Sequence, residues 1–100
     1  MTDADITTPP SHEAYRLPPE LDLAAAESLA AALRALLPDG PIRVDGGAVE
    51  RAMTPCLQVL AAAAATARAR GIVFRLEHPS AAMVDAIEDL GLGKALEGDR

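Results

Sequence analysis

Alanine-rich segments with helical periodicity alternate with short β-branched runs along these 100 residues, and Pro or Gly stands at nearly every junction. A chain punctuated this often cannot build long strands or a long coiled coil, so it must fold as short elements in turn. The order strand, helix, strand, helix, strand, helix predicts an α/β fold, with helices packed against a small sheet. At this length there is one domain with a single modest core. The hydrophobic half of the chain is mostly Ala, with one Phe, one Tyr and no Trp. Such a core works by letting backbones approach closely rather than by burying large rings.

Residues 1–13 are polar and acidic and contain Pro9-Pro10, which removes two amide donors. They read as a flexible arm with, at most, a short edge strand. Tyr15-Arg16-Leu17 is the first strand, stopped by Pro18-Pro19. Asp22 is the expected N-cap of a helix running to Leu37, with Ala26, Leu29, Ala30, Leu33, Leu36 and Leu37 on one face. Ile42-Arg43-Val44 alternates in the manner of a strand, and Asp45-Gly46-Gly47 is a loop. The second helix is expected to open with Thr54 as N-cap and Pro55 as its first residue, where proline's missing donor costs nothing. Its buried stripe is Leu57, Leu60, Ala61 and Ala64, and Gly71 stops it. Ile72 to Leu76 is a nearly continuous apolar run suited to burial on both faces. Ser80 caps a third helix with Met83, Val84, Ile87 and Leu90 inward and Asp85, Glu88 and Asp89 outward.

Composition removes several function classes. Nine basic against 15 acidic residues disfavour phosphate backbones, and 2% aromatics leave no stacking platform for single strands, so no nucleic-acid partner is expected. No apolar stretch reaches the ~20 residues a bilayer span needs, so no membrane insertion is expected. The acidic first residues do not suit a secretory signal, and the single Cys fits a reducing compartment, so a cytoplasmic location is expected. His12 and His78 lack partners at metal-ligand spacing, so neither a metal nor a cofactor is expected. No nucleophile, base and oxyanion site can be assembled from the motifs present, so the chain is expected not to be an enzyme. Cys56 stands near a helix start, a place that lowers a thiol pKa, although a buried inert thiol is the commoner case.

The stretch from Glu50 and Arg51 through Met53, Thr54, Pro55, Leu57 and Gln58 stands out. Around it, Leu17 to Leu96 resembles a STAS domain, the fold of bacterial anti-sigma factor antagonists. Leu17-Pro18-Pro19-Glu20-Leu21-Asp22 resembles that family's Leu-x-Gly-x-Leu-Asp step into its first helix. Ile42-Arg43-Val44-Asp45 resembles its central strand, and Thr54 falls where the family carries a phosphorylatable Ser or Thr. Leu57 and Leu60, then Ile72 to Leu76, then Pro79-Ser80 match the elements that follow. The resemblance implies a STAS-like domain over residues 14–97, with a small mixed sheet of about four strands. The chain departs from the family at Met53, where Asp is usual, at Pro55, and at Cys56, where Gly is usual.

What the resemblance implies is a non-enzymatic, cytoplasmic partner-switching protein. Its partner would be a kinase-like or regulatory protein, such as an anti-sigma factor with serine-kinase activity or a histidine-kinase-type regulator. That partner would dock on Glu50, Arg51, Met53, Thr54, Pro55, Leu57 and Gln58, under control of Thr54 phosphorylation. The alternative is a small STAS subunit of a lipid-transport ABC complex, docked on its ATPase. Read from the residues alone, Thr54 is a helix cap or a modification site. Met53 is likewise an exposed apolar anchor or a lid over the core. Charge adds one constraint. Asp3, Asp5 and Glu13 make residues 1–13 acidic, and residues 77–100 carry six acids against Lys94 and Arg100. Residues 14–76 hold seven arginines against six acids, so the Thr54 segment sits in nearly neutral chain. Docking on a small apolar patch is then expected over steering by bulk charge.

Overall fold

Residues 14–97 are described in a computed structural model of the chain. The expected acidic arm, residues 1–13 with His12, lies outside the described residues. Strands β1 (Tyr15–Arg16) and β2 (Glu20–Leu21) precede helix α1 (Leu23–Leu36), which runs into a 3-10 turn at Leu37–Asp39. Then come β3 (Ile42–Asp45), β4 (Arg51–Ala52), α2 (Thr54–Ala69), β5 (Phe74–Glu77), α3 (Ala81–Leu90) and the short α4 (Gly93–Glu97). The α/β architecture is the one the sequence predicts. The described strands form two small sheets, a three-stranded one in the order β1-β3-β5 and the pair β2-β4. Every pairing in them is parallel, where a mixed sheet was expected.

Register divides the three-stranded sheet into two unlike faces. Tyr15 lies opposite Val44, Ile42 opposite Phe74 and Val44 opposite Leu76. With the strand period of two, these apolar residues share the face turned to the helices. Ile42, Val44 and Phe74 are buried there, with Tyr15 and Leu76 packed against them. Arg16, Arg43, Asp45, Arg75 and Glu77 share the other face, so β5 is not buried on both sides as its apolar run suggests. Its first two residues are spent elsewhere. The Ile72 amide donates to the Ala67 carbonyl and the Gly71 amide to the Arg68 carbonyl, which closes α2 with Gly71 at φ +72°. The strand begins only at Phe74, and Val73 is left exposed.

Helix ends follow local chemistry at two of three starts. The Asp22 carboxylate accepts the Ala25 amide at 3.0 Å, and the Ser80 hydroxyl accepts the Met83 amide at 3.1 Å. Helix α2 starts differently. Met53 is its N-cap, in extended conformation, and no side chain caps it; Thr54 and Pro55 are already inside the first turn. Proline is tolerated anywhere its amide would be unpaired, so Thr-Pro marks the turn without fixing its first residue.

The core joins Leu29 and Leu33 of α1 with Leu57, Leu60, Ala64 and Ala67 of α2, Met83 and Ile87 of α3, and Leu96 of α4. Ala26 of α1 and Ala63, Ala64 and Ala67 of α2 are buried, and the two helices pack against each other. Leu90, expected inward, is 40% exposed. Gly91 at φ +69° ends α3 there, with the Leu92 amide on the Ile87 carbonyl, and Leu96 of α4 is buried instead. Among the described residues no helix is long and apolar enough to cross a membrane.

Candidate functional site at the start of the second helix

Two residues of parallel ladder build the site. Glu20 pairs with Arg51 and Leu21 with Ala52. The Glu50 and Arg51 amides both donate to the Pro19 carbonyl, at 2.8 and 3.0 Å, and the Met53 amide donates to the Leu21 carbonyl at 2.9 Å. The Cys56 thiol donates to the Asp22 carbonyl at 3.2 Å. Together these bonds fix the start of α2 beside the start of α1. Both helices therefore leave the β2-β4 ladder from the same end.

The segment singled out in the sequence divides by burial. Leu57 is completely buried, so its part is to hold α2 to the core; it does not offer itself to a partner. Pro55 is half-buried, while Glu50, Arg51, Met53, Thr54 and Gln58 are exposed. Thr54 and Gln58 are one helical turn apart and so share a face. Arg51 Nε lies 3.8 Å from Glu20 Oε1, a solvent-exposed pair that a partner can replace at little cost. Met53 is 41% exposed, so it lies on the surface and is not a lid over the core. Leu23, in the first turn of α1, is 69% exposed and stands at the same end of the domain. Sequence reasoning passed over it. The available signal was its place in the turn ahead of the buried stripe, which starts at Ala26.

Cys56 is buried, and its thiol pKa is pushed up by burial and, secondarily, by the charge of Asp22. Desolvation thus outweighs the helix start, whose positive end would lower it. His78 is exposed at φ +52° in the turn after β5. Among the described residues no cluster of three or more His, Cys, Asp or Glu side chains could hold a metal. The Thr54 hydroxyl caps no helix, so it stands in the first turn with its chemistry uncommitted. The arrangement as a whole offers two exposed apolar side chains, one hydroxyl and one carboxamide on a rigid base.

A small α/β domain whose second helix opens with an exposed Thr at the end of a short parallel ladder is a STAS-type architecture. A protein-family model described as the Mlab STAS domain matches residues 6–98, and the chain belongs to that family. STAS domains generally mediate protein–protein contacts, and a general partner-binding role comes with the family. No curated protein matched the chain. No solved structure matched it.

Proposed function

We propose that this protein is a non-enzymatic, cytoplasmic docking module that binds a regulatory protein through the start of α2. The carrying observation is the exposure of Leu23 and Met53 at the helix-start end of the β2-β4 ladder, together with a Thr54 hydroxyl that caps no helix. An exposed Met and an exposed Leu at the starts of neighbouring helices would supply adaptable apolar contact, and Gln58, Glu50 and Arg51 a polar rim. Thr54 gives the patch its control. A phosphoryl group there would meet the positive end of α2, although Pro55 has no amide and the Cys56 amide already donates to the Met53 carbonyl. It would also add about two negative charges to a surface that works by apolar contact. The partner in this reading is a kinase-like or histidine-kinase-type regulator, and dephosphorylated Thr54 is the binding form.

A second reading, docking on the ATPase of a lipid-transport ABC complex, draws on Met53. The acid that usually precedes the phosphorylated residue is missing, while a docking surface needs only the exposed patch. Pull-down with the wild type, Thr54→Glu and the pair Leu23→Ser/Met53→Ser, read by mass spectrometry, separates these readings. A kinase or sigma regulator lost with Thr54→Glu supports the switch. An ABC ATPase retained by Thr54→Glu and lost with the serine pair supports the transporter subunit. Partners that bind all three variants equally overturn both.

A further inference from the structure

We propose that the outer edge of β5 is a self-complementary docking surface that takes a second copy of this chain. The Ile42 amide donates to the Val73 carbonyl and the Gly46 amide to the Glu77 carbonyl, both at 2.9 Å. Odd-numbered residues of β5 therefore turn their backbone groups toward β3, and Phe74 and Leu76 turn theirs away. The strand order β1-β3-β5 makes that side an edge. No described residue hydrogen-bonds to those outward groups of Phe74 and Leu76. A bare parallel-sheet edge of this kind is a template for another strand.

Charge selects the occupant. Arg75 lies directly opposite Arg43 in the ladder, a like-charge neighbour. Arg43 is committed to Glu77, with Nε–Oε2 at 2.9 Å and Nη2–Oε1 at 3.0 Å, and Arg75 forms no ion pair with a described residue. A second β5 laid antiparallel about a two-fold axis at Leu76 resolves this. Leu76 then faces Leu76 of the second copy, both with outward backbone groups, as a pair exchanging two hydrogen bonds requires. In the flanking positions Arg75 of each copy faces Glu77 of the other. The symmetry closes, so the contact stops at two chains. Beside the edge, a groove of about 670 Å³ lined by Phe74, Leu76, Val84 and Ile87 together with Arg75 and Glu77 would receive side chains from across the axis. Glu88 also lines that groove, and its like charge on the two copies keeps the contact weak. His78 at φ +52° ends the edge after four residues. An interface this short falls below the ~1,000 Å² of stable complexes, and a dissociation constant on the order of 100 µM is expected.

Sedimentation equilibrium of the full chain, from tenfold below to tenfold above that concentration, tests the proposal. The average mass should rise from 10.4 kDa toward twice that value. Arg75→Glu should weaken association at least tenfold, as should Glu77→Arg. An equimolar mixture of the two variants should associate as the wild type does, because each chain then meets its complement. If Glu77→Arg fails to fold, Leu76→Cys decides instead. It must oxidise to a disulfide-linked dimer in the wild-type background and fail to do so together with Arg75→Glu. A wild type that stays monomeric throughout overturns the proposal, as does Arg75→Glu self-association equal to wild type or a mixture that stays monomeric with both variants folded.

Discussion

Three helices open on residues able to cap, Asp22, Thr54 and Ser80, but only two of them do so, and this makes a quantitative test. Asp22 Oδ1 and Ser80 Oγ each accept a first-turn amide, at 3.0 and 3.1 Å. Removing such a bond strands an amide and costs about 1 kcal/mol. In a domain of this size that lowers Tm by roughly 4–8 °C. Asp22→Ala and Ser80→Ala should each fall in that range. Thr54 forms no cap bond and is exposed, so Thr54→Ala should stay within about 0.5 kcal/mol of wild type. Thr54→Glu should gain about 0.3–1 kcal/mol, because a carboxylate in the first turn faces the positive end of the helix. Urea unfolding followed by far-UV circular dichroism measures all four variants, and an unchanged m value shows that the unfolded state is comparable. A loss for Thr54→Ala as large as that for Ser80→Ala would refute the assignment of Thr54 to the surface. With the assignment upheld, a change in partner binding on Thr54 substitution reads the surface itself.

Three further outcomes follow from individual contacts. At Gly46 a Cβ would stand 2.6 Å from Met83 Sδ and 3.3 Å from Pro79 Cα, so Gly46→Ala should cost about 1–3 kcal/mol by thermal unfolding. The hydrogen-bonded Arg43 guanidinium holds the Glu77 carboxyl below its usual range. The stability this contributes is complete above the ordinary carboxylate range and fades as pH falls through the lowered value; an acid titration of Arg43→Met should lack that fade. Cys56, buried and with its thiol pushed up, should resist iodoacetamide in the folded protein and react only at the rate of opening, as mass spectrometry over time would show.

The parts legible in the sequence are those set by chemistry within one turn. Asp22, Ser80, Gly71 and Gly91 each act through a bond or a backbone angle spanning a few residues, and each is where the pattern puts it. What sequence could not supply is set across the fold. The first residue of α2 depends on the Met53 amide reaching the Leu21 carbonyl, a contact between residues far apart in the chain. Two-residue strands such as β2 and β4 carry no period to detect. Leu90 fits the apolar stripe of α3, yet the helix ends there and α4 supplies Leu96 to the core. At the site, Thr54 and Met53 were legible by position, whereas the burial of Leu57 and the exposure of Leu23 depend on how α1 and α2 pack.

The β2-β4 ladder also governs what a partner would have to order on arrival. Main-chain bonds to the Pro19 and Leu21 carbonyls already fix residues 50–53, and two helices hold the positions that follow. Association would freeze only a few side-chain rotors, chiefly those of Leu23, Met53 and Gln58, at about 0.5–1.5 kcal/mol each. A small apolar patch on such a footing can bind with useful strength, because little of its contact energy goes into immobilising backbone. Replacing Arg51 with Pro would leave those side chains in place but remove the amide that donates to the Pro19 carbonyl beneath them, and the lost affinity would report the entropy that two residues of strand now remove.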